Sequence, residues 1–442
     1  MATLVTAWSS SLADSGEPEY PLSQSTQSQK PVYVTSSVDA DYQAMGGRVV
    51  KFDGTNDFLG NEVSSALGTV PNSRDFSVLY FGSQTSASSD EQHWSFGTDA
   101  GDPVAFKYSN VSGKWQFRLP SVFVSSSVSG AFVSAYVDDG TTSHLTVNNH
   151  TGSIASSPSD PENLRIGARG ELTPAQYLSG TMSELLIVSP SISKVETEAY
   201  KRHVLSNYLN PTNIEGLTHR WRCDSGIAQV STKVSGWTDS VSNVVMSQST
   251  DAVRPTLITY EENYANNRTF MSGAANSVNM STIASDVSAS FSGDFTVFAV
   301  CYKQLASTNE IIFDMGIGDR VLFYWSASDD KQRLLIGDSG GTSTFIADNA
   351  QENASLQICG AAYDESAGVV DFNMNGVESQ DSQTARSPTI APIDVASIMD
   401  NVAAGASNGL HRLFEFMIFE RKLSQAEMQN LTSYARLYYG ID

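Results

Sequence analysis

The chain has 442 residues, with 26 Lys and Arg against 48 Asp and Glu, a formal net charge of -22 and only 17% charged residues. So little positive charge excludes phosphate-backbone binding as a main activity, because almost nothing would displace the counterions of a nucleic acid. Hydrophobic residues at 40% and aromatics at 10% are enough for sizeable cores, which excludes disorder for most of the chain, and the length allows two to four domains.

The first 25 residues, MATLVTAWSSSLADSGEPEYPLSQS, contain no basic stretch followed by an apolar run, so neither a secretory signal nor an anchor is expected. No window approaches 18 apolar residues, and no membrane span is predicted. After Trp8 come Gln24 and Lys30-Pro31. Short segments rich in Val, Phe, Tyr and Trp follow, among them VVKFDG at 49–54, FSVLYFG at 76–82, KWQFRL at 114–119 and SELLIVS at 183–189. Gly, Ser, Asp and Asn turns such as VDDGT separate them, which is the pattern of an all-β sandwich or barrel. A helix is predicted after Ser193, with Glu196 three residues on as a capping box and an apolar stripe of Val195, Ala199, Val204, Leu205 and Tyr208. NPTNIEGLTHR, 210–220, then reads as a connection.

The same order of features returns beyond it. Gln248 and Arg254-Pro255 lie 224 residues after Gln24 and Lys30-Pro31; DFTVFAV at 294–300 lies 219 after DFSVLYF; Glu415 lies 231 after Glu184. Drift of this size is what unequal loops in a tandem duplication produce. The expected domains are therefore 1–210, with an N-terminal arm, and 211–442. A second helix is predicted after Ser424, with Glu427 in the capping box, Leu431, Ala435 and Tyr438 on one face, and Gly440 as its stop. FEFMIF at 414–419 is a continuous apolar run, expected as a central strand, and SHLTV at 143–147 alternates, expected with one wet face.

Three cysteines, Cys223, Cys301 and Cys359, exclude a disulfide scaffold; Cys301 and Cys359 lie in strand-like segments and are expected as buried thiols, with one disulfide between them as the alternative. No E-x-D-x-x-E motif, H-E-x-x-H motif or G-x-S-x-G elbow occurs; the nearest acids to a glycosidase pair are Asp364-Glu365, in a turn, and the single acids Glu184 and Glu415. The expectation is a protein that is not an enzyme. GDSGG at 337–341 reads as a turn.

The stretch FDGTNDFLG at 52–60, preceded by Lys30-Pro31 and Val50 and followed by DFSV at 75–78, together with the closing Ser-x-x-Glu, helix and Tyr, resembles the laminin-G-like, concanavalin A-like lectin/glucanase superfamily of jelly rolls. The resemblance implies two tandem concanavalin A-like jelly-roll sandwiches, each with a short C-terminal helix. Phe52, Asp53, Gly54, Asn56 and Asp57 are then a structural turn, Phe52 entering the core and the polar residues holding backbone N–H groups. The second half departs from the motif, with NYANNRTFMSG at 263–273 in the corresponding place. Related sandwiches hold calcium in loops, so Asp138-Asp139, Asp99 with Asp102, and Asp314 with Asp319 are candidate ligands of a structural calcium, no other cofactor being expected. Trp94, Trp115 and Trp325 are candidate glycan-stacking residues if they emerge from loops; at strand spacing they are expected as core residues. Jelly rolls of this kind are frequent in bacteriophage virion proteins, and the resemblance implies a non-enzymatic virion component, such as a capsid decoration, head-fibre or tail protein. Its partners would be other virion proteins and further copies of itself. The alternative is a carbohydrate-binding or host-adhesion module.

Overall fold

The computed structural model describes residues 3–9, 32–34, 37–47, 49–55, 59–60, 75–84, 91–97, 104–109, 114–118, 122–124, 130–155, 163–166, 177–258, 268–273, 280–303, 309–316, 319–350, 355–388, 390, 394–399 and 412–441. They form two compact units. The first is Met1–Asn213 with Gln429–Gly440, and the second is Ile214–Met428. The division falls close to residue 211, while the end of the last helix groups with the first unit.

In the first unit one antiparallel sheet runs in the order His150–Ala155, Thr142–Val147, Gly130–Asp139, Asp75–Gln84, Ser179–Ser189, Val49–Asp53, Val32–Val34, with Thr3–Ser9 also paired to Ser179–Ser189. A second sheet runs Leu59–Gly60, Asn163–Ile166, Glu91–Gly97, Val104–Ser109, Lys114–Arg118, Val122–Val124. Phe76, Val78 and Tyr80 from the first sheet meet Trp94, Phe106 and Trp115 from the second in one core. Two inner faces that alternate with outward polar residues are how a sandwich buries its apolar half, and Thr142–Val147 shows the expected alternation at every residue. His93 lies inside this core against Phe106, Trp115 and Phe132 and shares a 3.0 Å hydrogen bond with the Tyr80 hydroxyl; burial pushes its pKa down to about 3.

The second unit repeats the plan. One layer runs Leu217–Arg222, Arg412–Phe419, Phe295–Lys303, Ser355–Asp364, Val369–Met374, Val377–Ser382, and the other runs Met280–Ile283, Val395–Ile398, Glu310–Met315, Arg320–Trp325, Lys331–Asp338, Gly341–Ala350. Short strands at Lys233–Thr238, Val245–Ser247, Thr256–Ile258 and Phe270–Ser272 link the layers, so the hydrogen bonding closes into a flattened barrel. The architecture is all-β, as expected. The apolar run at 414–419 is central, paired on both sides and buried. Cys223, Cys301 and Cys359 are buried free thiols, with the last two sulfurs 3.7 Å apart.

The duplication holds at the level of single hydrogen bonds. Ser179–Ser189 carries a β-bulge between Met182 and Glu184, and Arg412–Phe419 carries one at the matching place, opposite Val300 and Cys301. Val32–Val34 and Thr256–Ile258 are equivalent strands, each starting just after the matched prolines Pro31 and Pro255; the first ends its sheet, whereas the second also meets Lys233–Thr238. In the first unit Ser77 Oγ accepts from Ile192 N at 2.9 Å; in the second, Thr296 Oγ1 accepts from Leu423 N at 2.9 Å. The hairpins after Thr142–Val147 and Val369–Met374 each turn on an asparagine with positive φ, Asn148 at 52° and Asn375 at 51°. Each side chain reaches across to the neighbouring strand, Asn148 Oδ1 accepting from Val133 N at 3.0 Å and Asn375 Oδ1 from Ile358 N at 2.7 Å. Asparagine tolerates this left-handed conformation and supplies the acceptor that a buried N–H requires.

The predicted helices form at Lys194–Asn207 and Gln425–Tyr439. Ser193 Oγ accepts from Glu196 N, and the Glu196 carboxylate accepts from Ser193 N at 2.8 Å; Ser424 and Glu427 repeat the arrangement. Such caps are worth roughly 1 kcal/mol each. Gly440, at φ 70°, ends the second helix. The buried face of the first helix is not the predicted stripe: Thr197, Tyr200, Lys201 and Val204 point inward, while Val195 is 73% exposed and Ala199 is also outside. The i, i+3, i+4, i+7 spacing is kept but rotated, because the large Tyr200 ring, not the smaller Val and Ala, takes the inner position. In the first unit Asn430 Nδ2 donates to Gln43 O and Ala44 O at the end of a short helix, Ala40–Met45, that no sequence pattern announced. No helix among the described residues is long and apolar enough to cross a membrane.

Replacing Asn148 or Asn375 by Ala removes the cross-strand acceptor and puts a β-carbon at positive φ. Each substitution is expected to cost about 1–3 kcal/mol, read as a lower urea midpoint with an unchanged slope. Equal costs at the two sites are expected from their matching geometry.

Candidate functional site

The residues that the sequence singles out divide into three groups. In the turn, Phe52 is buried and pairs with Gly180, Asp53 Oδ1 accepts from Thr55 N at 2.7 Å, and Gly54 has φ 78°. A β-carbon on Gly54 would lie 2.8 Å from Ser179 Cβ. Asn56 and Asp57 lie outside the described residues.

Trp94 and Trp115 are corrected from glycan platforms to core residues. They are 1% and 0% exposed, and Trp115 packs within 4.3 Å of the Phe132 ring, so neither offers a face to a sugar. Both lie on strands whose inward positions they occupy. Trp325 is buried as well.

The acidic candidates for calcium are committed elsewhere. Asp138 is fully buried and accepts from the Tyr136 and Ser143 hydroxyls and from Gly140 N, and Asp139 accepts from Thr141 N and Thr142 N, closing the hairpin. Both oxygens of Asp314 are held by Arg320, at 2.7 and 2.8 Å. Asp99 and Asp102 lie outside the described residues. Calcium takes six to eight oxygen ligands, and among the described residues no three His, Cys, Asp or Glu side chains gather to offer them. Asp138, Asp139 and Asp314, already committed to these bonds, do not fit the ion.

The repeated acids Glu184 and Glu415 follow the two bulges and are both buried. Glu415 accepts from Arg220 Nε at 2.7 Å. Among the described residues Glu184 meets no arginine; it faces His203 Nε2 at 3.3 Å, on the Lys194–Asn207 helix beside Tyr200. Burial raises the Glu184 pKa above its ordinary 4.5, against the opposing pull of His203 and Tyr200.

One Ser/His/Asp cluster exists that sequence spacing did not reveal. His219 Nδ1 lies 3.0 Å from Asp239 Oδ2 and 2.9 Å from Ser242 Oγ, and Ser242 Oγ also donates to Asp239 Oδ2. A nucleophilic triad needs the serine and the acid on opposite ring nitrogens. Here both meet the same one. Asp239 also accepts from Arg220 N, Val241 N and Ser242 N, so the cluster organises a turn.

The remaining concentration of polar groups is an open cleft of about 510 Å³ in the second unit. Four chain segments converge on it: residues 293–294 before the first core strand, Asp338 at the end of Lys331–Asp338, residues 365–366 after Ser355–Asp364, and residues 385–387. Arg386 is its fixed point. The Tyr363 hydroxyl donates to Arg386 O and accepts from Arg386 N, both at 2.8 Å. The guanidinium donates to Asp338 Oδ1 at 2.9 Å and to Ser343 Oγ at 3.3 Å. It lies against the turn at Gly340 and Gly341, where added β-carbons would come within 3.0 and 3.1 Å of its nitrogens. The GDSGG turn thus forms as expected, and its glycines make room for the arginine.

Burial works against the charge on Asp338, but hydrogen bonds from Gly340 N and Ser387 N and the pairing with Arg386 outweigh it, and its pKa falls below the ordinary carboxylate range. Across the cleft Asp294 Oδ1 accepts from Glu365 N at 2.8 Å. Glu365 was visible in the sequence only as half of the Asp364-Glu365 pair; Asp364 itself accepts from Ala367 N and Ser366 Oγ and caps the turn. Nothing in the sequence marks Arg386.

No protein-family model matches the chain, and no curated protein matches it in sequence. Among solved structures it is similar to the Ruminococcus gnavus IT-sialidase CBM40, at 12% identity over 37% of this chain and 97% of that one, with a TM-score of 0.31. It is also similar to the NanB sialidase from Streptococcus pneumoniae, at 16% identity over 34% and 26% with a TM-score of 0.28, and to a heptameric SAP-like pentraxin from Limulus polyphemus, at 12% identity over 32% and 70% with a TM-score of 0.25. Likeness at this level carries no functional argument. Function has to be argued from the chain's own residues.

The raised pKa of Glu184 fixes the sign of a pH effect. A carboxyl that titrates higher in the folded state than in the unfolded state contributes stability below the unfolded pKa and loses it as pH rises through the folded one. Glu184→Gln is therefore expected to raise the urea midpoint more at pH 8 than at pH 4, whereas Glu415→Gln, which strands Arg220, is expected to lower it at both.

Proposed function

We propose that the protein is a non-catalytic recognition protein that binds a saccharide in the Arg386 cleft. The observation that carries this reading is the double clamp on Arg386, whose backbone is fixed by Tyr363 and whose guanidinium is fixed by Asp338 and Ser343. A side chain held at both ends loses little entropy on binding, which is how a recognition site is pre-organised. Around it the cleft offers carboxylates that only accept hydrogen bonds, a guanidinium that only donates, and the Ser366 and Ser387 hydroxyls that do both. A sugar, whose hydroxyls donate and accept, matches such a mixture.

Absence of catalysis is part of the proposal. Glycoside hydrolysis needs one carboxyl kept protonated as general acid, a role that Asp338, paired with Arg386 and biased towards its charged form, does not fill. The virion component expected from the resemblance is favoured by no feature of the described residues, so saccharide recognition is the reading carried forward.

A glycan array probed with the intact chain tests it, followed by calorimetry on the best ligand. Arg386→Ala is expected to weaken binding at least tenfold, and Tyr363→Phe, which removes two backbone bonds but no cleft group, several-fold. Retention of no saccharide, or equal binding by Arg386→Ala, overturns the proposal.

A further inference from the structure

Resting on that reading, we infer that the cleft is selective by charge: it prefers saccharides bearing a free amino group, accepts neutral ones, and rejects acidic ones. Three carboxylates, Asp294, Asp338 and Glu365, border the cleft against the single guanidinium of Arg386. That guanidinium is already paired with Asp338 at 2.9 Å, and among the described residues no other cation lines the cleft on the Asp294 and Glu365 side. Asp294 is exposed and Glu365 half-buried, with the Glu365 carboxylate lying over Gly293, where an added β-carbon would be 3.6 Å from Oε2. A ligand carboxylate, sulfate or phosphate entering here would meet a guanidinium whose charge Asp338 already answers, and would face two more negative groups. A ligand ammonium meets acceptors on both sides. Like-charge juxtaposition is the standard means by which a binding surface refuses a partner, and the formal net charge of -22 acts in the same direction at long range.

Equilibrium binding of three short probes by the intact chain tests the inference: a glucosamine oligosaccharide with free amines, its N-acetylated counterpart, and a galacturonate oligosaccharide of equal length. The amine probe is expected to bind at least tenfold more tightly than the neutral one at low salt, and the acidic probe not measurably. Asp294→Asn combined with Glu365→Gln keeps the Asp294 acceptor for Glu365 N and removes both charges. It is expected to shrink the ratio of amine to neutral affinity to less than threefold, whatever it does to the neutral affinity itself. An amine preference that survives this double substitution belongs to the chain's overall charge and overturns the inference. So does binding of the acidic probe as tight as that of the neutral one. Failure of all three probes to bind removes the saccharide reading together with the inference, whereas binding without the charge order removes the inference alone.

Discussion

Each sandwich depends on one bulged strand. Ser179–Ser189 and Arg412–Phe419 are hydrogen-bonded on both sides, to the first strand of their half and to the first long core strand. A strand in that position cannot slip by one residue without turning its whole apolar set to the wrong side. The bulge adds one residue to the strand and so resets which side chains face inward after it. Ile192 N and Leu423 N are then fixed by hydroxyls on the neighbouring core strands, and the helix caps begin from those anchored points. Sheet order, helix position and the loops that follow all take their register from this strand.

The residue just after the bulge shows what duplication conserves and what it releases. Both halves keep a buried glutamate there, but only the second retains a guanidinium to answer it. A buried ion pair contributes little net stability, yet removing one partner leaves a costly charge. In the first half the group facing the glutamate is His203 of the helix, 3.3 Å away. Together with His93, neutral in the core because burial opposes its charge, the first half carries two buried groups whose protonation demands pull in opposite directions.

Much of the architecture was legible because its determinants are local or periodic. Short β-branched and aromatic runs between turns gave the all-β class; Ser-x-x-Glu gave both helix starts; Pro31 and Pro255 mark matched strands. Misreadings came where three-dimensional context decides. Val195 and Ala199 fit the helical period, but the ring of Tyr200 took the inner face. Trp94 and Trp115 could be classed as core or ligand-facing only once their strands were placed. Arg386 is silent in sequence because its surroundings come from four segments between residues 293 and 387, and the glycines that seat it look like any turn.

The allocation of Gln429–Gly440 to the first unit has a consequence for biosynthesis. Its side chains supply hydrogen bonds to Gln43, Ala44 and Ala131, yet they are translated more than 200 residues after Asn213. At about 5–20 residues per second, the nascent amino-terminal sandwich waits on the order of 10 to 40 seconds for its last helix turns. During that interval the ribosome-bound chain exposes the surface they will cover, which makes it the stage at which a chaperone would have something to hold.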